Sequence, residues 1–306
     1  MDVRRPSYLR IVVTTRCTLQ CPFCHLEGDP SQAGQAQGLP AEAIGDLAGA
    51  AYRQGVRKIK LLGGEPLARR DIADIVRAIR GQCPEADLSI ITAGVVDVQR
   101  LRDCFDAGLD RVNLSIHGWS PEALARHTRV PDAHARRAEV LKELLARGHF
   151  LKCNYVYTGP QVDADLGAFL TWAAEHPVVV AVLDDLGNAE MGPHTIRAAL
   201  KRIHGAWATE QREDDPHSLP TRHLFWSDGL RVEVKDHHLG QIAPWRACGD
   251  CAVRGNCREG IFALRLKHTG EAAPCMDRPD LSVPLLREGK WDAQSAELGW
   301  QQVMGG

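Results

Sequence analysis

Six short runs rich in Val, Ile and Leu punctuate the first 185 residues, at 9–14, 58–62, 88–92, 111–116, 149–157 and 178–183. Their length and near-continuous apolar character read as buried parallel strands. Between them, helical stretches are predicted over 40–54, 70–81, 97–107, 121–147 and 163–175. Pro40, Pro121 and Asp163 suit helix starts, and Gly55, Gly81 and Gly108 suit stops. Strands and helices in strict alternation predict an α/β fold on a parallel sheet. Right-handed crossovers would curl it into a full or partial TIM-like (β/α)6 barrel, with its chemistry on the loops at the strands' C-terminal ends.

The pattern breaks after residue 186. Residues 187–220 mix Gly, His, Pro and charge around one predicted helix, 195–208. Residues 224–235 read as a hairpin turning at Ser227-Asp228-Gly229. A strand at 264–267, a turn at 268–270 and a polar tail follow. The expected division is therefore 1–186 as the core domain and 187–306 as a C-terminal extension. The loop 28–38, rich in small and polar residues, would border a site or close over it.

Length and charge narrow the class. The chain has 306 residues, 44% hydrophobic and 25% charged, with 37 basic against 39 acidic residues. That is globular composition, and the balance argues against a nucleic-acid or membrane-surface binder. No apolar run approaches the ~20 residues of a membrane span. The first residues lack the apolar segment of a signal peptide. A cytoplasmic protein is expected.

Seven of the ten cysteines are grouped: Cys17, Cys21 and Cys24, then Cys248, Cys251, Cys257 and Cys275. Cys83, Cys104 and Cys153 stand alone and read as small core residues. In an intracellular setting grouped cysteines bind metal or act in redox chemistry. Cys17-x3-Cys21-x2-Cys24 follows the first strand directly. Its thiolates suit zinc or an iron–sulfur cluster, and three of them leave one metal position open, as a catalytic centre needs.

This motif resembles that of the radical S-adenosylmethionine (SAM) enzymes. Gly63-Gly64-Glu65-Pro66, ending the second strand, stands where that superfamily carries its SAM-binding Gly-Gly-Glu. The resemblance implies a [4Fe–4S] cluster on Cys17, Cys21 and Cys24, its fourth iron chelated by SAM. One electron would cleave the sulfonium, and the 5′-deoxyadenosyl radical would take hydrogen from substrate. The glycines would allow close approach of the cofactor, and Glu65 would accept from the SAM amine.

Flanking residues narrow the resemblance to the MoaA-like enzymes, the GTP 3′,8-cyclases. They include Tyr8-Leu9-Arg10-Ile11, Cys24-His25-Leu26-Glu27-Gly28, Asp110-Arg111-Val112-Asn113-Leu114-Ser115, Lys152-Cys153-Asn154, Leu264-Arg265-Leu266 and Pro274-Cys275. The likeness implies SAM contacts at Phe23, Gly64, Glu65 and Ser115, to which Asp184 at the end of the sixth strand is added. It implies substrate contacts at Arg10, Lys60, Thr92, Lys152 and Arg265, and a catalytic Gly305-Gly306 tail reaching the site. Four of those five substrate residues are cationic, which suits a triphosphate or another anion. An electron donor such as flavodoxin or ferredoxin is implied too, and a homodimer is left open. Four positions depart from the family. Ala93 replaces an Asn, His117 an Asp and Ala263 an Arg, and the sixth strand lacks an arginine. Two expected guanidiniums are thus absent. The expected substrate is an anionic, nucleotide-like small molecule, rearranged or cyclised as in GTP cyclisation or a related biosynthetic step.

The second group has a fourth cysteine where the MoaA-like pattern has three. Cys-x2-Cys-x5-Cys is similar to the auxiliary-cluster regions of the SPASM and twitch group, which implies a second [4Fe–4S] cluster. A closed cluster would favour a dehydrogenase or epimerase acting on a sugar, natural product or peptide. Zinc is the alternative occupant, and a non-catalytic zinc protein the bland alternative. His223, His237 and His238 read as exposed histidines, and Trp207, Trp226, Trp245, Trp291 and Trp300 as packing residues.

Overall fold

Alternation within single strands builds the sheet. In β1 (Tyr8–Thr14), Leu9, Ile11 and Val13 are wholly buried in the main core, while Tyr8, Arg10 and Val12 take the opposite face. The computed structural model describes residues 7–25, 38–148, 151–214, 219–240, 248–252, 254, 257, 263–286 and 290–305. The β/α series continues with α1 (Ala41–Arg53), β2 (Lys58–Gly63), α2 (Ile72–Gln82), β3 (Asp87–Thr92) and α3 (Val98–Asp106). It runs on through β4 (Arg111–Ile116), α4 (Pro121–Ala125), α5 (Ala133–Ala146), β5 (Leu151–Tyr157), α6 (Asp163–Ala174) and β6 (Val178–Asp184). After these come α7 (Pro193–His204), β7 (Thr209–Glu213), β8 (Thr221–Phe225), β9 (Arg231–Lys235), β10 (Leu264–Leu266), β11 (Glu271–Ala273), β12 (Val283–Pro284) and α8 (Ala293–Gly305).

The described strands form one sheet in the order β12-β11-β10-β1-β2-β3-β4-β5-β6-β9-β8-β7. β1 to β6 are parallel neighbours in chain order. β9 adds parallel to β6, and β10 adds parallel to β1 with Leu9 opposite Leu264. The remaining pairs are antiparallel. The predicted barrel is therefore partial: the sheet does not close, and β12 and β7 are its two edges. Leu, Ile and Val from one face pack with the helices into a single large core, which also takes in Cys83, Cys104 and Cys153. No described helix is long and apolar enough to cross a membrane.

Several expectations shift. The strands are not apolar throughout; β2 to β5 and β9 each set polar residues on the face away from the helices. The predicted helix 121–147 is two helices, because Pro131 denies Val130 the helical conformation. α2 continues past Gly81. The turn at Ser227-Asp228-Gly229 joins β8 to β9 as expected, but β7 and α8 fall in stretches read as irregular. Residues 149–150 lie outside the described residues, as do 28–37 of the small-residue loop.

Candidate active site

Beyond β1 the chain turns through the first cysteines, held by the segment after α4. Gln20 N donates to His127 O at 2.7 Å, and Thr128 Oγ1 donates to Thr18 O at 2.8 Å. Cys17 Sγ accepts from Leu19 N at 3.4 Å, and Cys24 N donates to Cys21 O at 3.1 Å. The thiols lie within one another's electrostatic reach, Cys21 with both of the others. Burial pushes Cys17 up to about 11 and Cys21 up to about 12. Such thiols become thiolates only when a metal replaces the proton. Three sulfurs on one turn fit a [4Fe–4S] cluster that keeps one iron for a non-protein ligand.

The end of β2 rests on this turn. Gly64 N donates to Thr14 O at 2.9 Å, and Glu65 N donates to Arg16 O at 2.7 Å. A Cβ on Gly64 would lie 2.6 Å from the carbonyl carbon of Arg16 and 2.8 Å from Thr15 O. Gly63 adopts φ +135°, a conformation that side chains strain against. The glycines, expected to admit the cofactor, are required first by this contact between β2 and the cysteine turn.

Glu65 is 1% exposed. Its Oε1 accepts from Leu67 N at 3.0 Å and from Thr92 Oγ1 at 2.8 Å, and its Oε2 accepts from Ala93 N at 2.9 Å. Of about four lone-pair positions on a carboxylate, three are filled by the chain and one is left on Oε2. Burial raises the Glu65 pKa. Thr92, expected to face substrate, spends its hydroxyl here: it donates to Glu65 and accepts from Gly94 N at 3.0 Å. The Glu65→Gln variant turns an NH2 toward donors that need an acceptor. Its unfolding free energy should fall by about 2–3 kcal/mol. A urea midpoint matching the wild type would show these bonds to be dispensable.

The face away from the helices is cationic. Register sets Arg265, Arg10, Lys60, Ser89 and Arg111 in one row across β10, β1, β2, β3 and β4. Asn113 and Ser115 follow on β4, opposite Lys152 and Asn154 on β5. Glu233 on β9 faces the same side and ion-pairs with Lys152, while Arg111 binds Asp87. Arg10, Lys60 and Arg265 are each under a tenth exposed. Burial, then Arg10, Lys58, Arg111 and Lys152, push Lys60 well below the usual lysine range. Arg265 also donates to Ala263 O at 3.1 Å and Pro274 O at 3.3 Å. Asn113 Oδ1 is buried without a hydrogen-bond partner. Asn113, Glu233 and Lys235 were not foreseen as site residues, although alternation with Val112, Val232 and Val234 marks all three.

The other candidates divide. The Phe23 ring sits 5.4 Å from His117 and 5.5 Å from His127. Burial pushes His117 down to about 4, so a neutral ring packs on Phe23 where the family carries an acid. Asp184 ends β6 opposite Tyr157. Cys257 lies within electrostatic reach of Cys248, Cys251 and Cys275, and Cys275 in turn feels Arg265. Among the described residues, no three His, Cys, Asp or Glu side chains are gathered around the position of a single metal ion. Gly305 ends α8, which packs on α1 in the helix layer, and Gly306 lies outside the described residues. His223, expected exposed, is 5% exposed beside Glu213, because it shares the polar face. The His237 ring lies tilted against His238 with ring centres 4.1 Å apart. Trp226 and Trp300 are buried and Trp207 and Trp291 pack on the core, as expected; Trp245 lies outside the described residues.

An open parallel α/β barrel with a three-cysteine turn after its first strand defines a class of cluster-dependent enzymes. The profile of the radical SAM superfamily matches residues 11–173. A GTP 3′,8-cyclase of Desulforamulus reducens is 30% identical over 304 residues, covering 96% of this chain and 89% of that protein. A probable GTP 3′,8-cyclase of Methanococcus maripaludis is 37% identical over 278 residues, covering 90% and 87%. Among solved structures, Streptococcus suis SuiB bound to the precursor peptide SuiA superposes with a TM-score of 0.64 at 14% identity, over 96% of this chain and 64% of that one. For anSMEcpe with bound AdoMet the TM-score is 0.60 at 12% identity, over 94% and 79%. The chain belongs to the radical SAM superfamily and is a radical SAM enzyme of MoaA-like type.

Proposed function

We propose that this enzyme takes hydrogen from an anionic, nucleotide-like small molecule bound on the cationic face of the sheet, and that rearrangement or cyclisation of that molecule follows. The observation that carries this is the row Arg265–Arg10–Lys60, three buried cations on adjacent strands at one level. Three cations gathered at one level make a receptor suited to an anion. Cys17, Cys21 and Cys24 would hold a [4Fe–4S] cluster. When bound, that cluster supplies the electron that cleaves SAM. Oε2 of Glu65 keeps a lone pair for the SAM amine, and Phe23 and Ser115 would contact SAM as the resemblance implies. Lys152, clamped by Glu233, and Asn113 would orient the polar parts of the substrate. The names of the relatives support GTP as the first compound to try.

The test is anaerobic incubation with SAM, reductant and each nucleoside triphosphate, read by mass spectrometry. A product isomeric with one triphosphate supports the reading; 5′-deoxyadenosine without any nucleotide product argues against it. Metal content tests the second cysteine group. A Cys17/Cys21/Cys24→Ala variant should keep about four irons on Cys248, Cys251, Cys257 and Cys275. Zinc there instead would make the extension structural.

A second reading has its own support. Cys257 lies within electrostatic reach of the other three cysteines of its group, so four thiolates are available to a closed cluster. Such a centre would pass electrons and would not bind substrate, which suits a dehydrogenase or epimerase. Loss of two mass units marks the first, and deuterium gained from solvent marks the second.

A further inference from the structure

We propose that Lys235 anchors an anionic group of the substrate, completing from β9 a set of cations whose other members are Arg10, Lys60 and Lys152 on β1, β2 and β5. The inference rests on the anionic-substrate reading above and adds to it a residue outside every motif that carries the resemblance.

Three observations support it. First, β9 alternates: Val232 and Val234 are wholly buried in the main core, so Arg231, Glu233 and Lys235 take the polar face. Glu233 marks that face by its ion pair with Lys152. Second, the sheet curves enough to bring distant strands together. β1 and β9 are six strand spacings apart, about 29 Å if the sheet were flat. Lys235 nevertheless lies within electrostatic reach of Arg10 and Lys58, as well as Lys152. Its ammonium therefore faces into the concavity. Third, charge on this face is unbalanced. Asp87 pairs with Arg111 and Glu233 with Lys152, and around Lys235 the acid Asp184 on β6 stands with Arg10 and Lys58 besides that pair. A half-buried lysine at the rim of a cationic face suits a polyanion.

Burial, together with Lys152, Arg10 and Lys58 and opposed by Asp184, brings Lys235 down to about 7. The protonated form is the one that holds an anion. Affinity should therefore be greatest below that value and fall as pH rises through it.

The experiment measures binding of inorganic tripolyphosphate and of GTP to the iron-loaded full chain by calorimetry. Lys235→Met should weaken both by about tenfold, equivalent to roughly 1.4 kcal/mol. Lys235→Arg should stay within about threefold of the wild type, since the charge is kept. Between about pH 6 and pH 8.5 the ratio of wild-type to Lys235→Met affinity should fall toward one, since ionisation of the probe and of Lys60 is common to both proteins and only the Lys235 charge differs. Iron content and melting temperature report that the variant is folded. If Lys235→Met binds tripolyphosphate as tightly as the wild type does, Lys235 is not an anchor and the anionic-substrate reading stands. If the wild type binds neither probe, both fall.

Discussion

Gly64→Ala should lower SAM cleavage by at least about 100-fold while leaving every cysteine in place, because displacing a reacting group by about 1 Å has that effect. The new methyl group would occupy the space of the Arg16 carbonyl and crowd Thr15 O. Two bonds join β2 to the cysteine turn, Gly64 N to Thr14 O and Glu65 N to Arg16 O. Neither survives if the strands part. The turn is held on its far side by His127 and Thr128, so it moves relative to β2 and does not unfold. The expected result is a protein that still binds iron and yields little 5′-deoxyadenosine. A cleavage rate within about threefold of the wild type would mean that the turn yields without consequence.

Trp300→Ala should destabilise the protein by about 3–5 kcal/mol, the range for removing a buried aromatic side chain. Trp300 is wholly buried, and its Nε1 donates to Leu47 O at 2.9 Å. Trp291 Nε1 donates to Asp46 Oδ2 at 3.0 Å, and Arg53 pairs with Glu297 at 2.7 Å. The last helix is thus fastened along α1, on the outside of the β/α layer. At about 2–4 °C per kcal/mol for a chain near this size, melting should drop by roughly 6–20 °C. An unshifted transition would show that α8 is an ornament on an independently stable core.

How much of this was legible follows from the range of each signal. The six parallel strands and their helices were readable because each carries its own apolar run and its own punctuation. The two faces of the sheet were less so. Val12 and Leu62 sit among the polar positions and blur the alternation of runs such as 9–14; Arg10 and Lys60 were picked out by their resemblance, not by their alternation. β7 (Thr-Glu-Gln-Arg-Glu) has no apolar residue and takes its conformation from β8 alone. α8 did carry a signal: Ala296, Trp300 and Val303 recur at helical spacing and are all buried. Thr92 looked like a substrate residue, and only the fold shows its hydroxyl turned to Glu65. Alternation marked the face of Lys235, but its company on β1 and β2 depends on sheet curvature and could not be found from local sequence.

The pairing of β10 with β1 ties the order of synthesis to the order of assembly. β1 is complete when residue 14 has been made, yet one of its edges waits for residues 264–266. On a ribosome the growing chain therefore carries an open strand edge until β10 has been made, beside the first cysteine turn. Contacts so distant in sequence form late, and an unpaired edge invites pairing with other chains. Arg10, placed mid-strand on β1, puts a charge on that exposed ribbon, which acts as a guard against such association until β10 arrives.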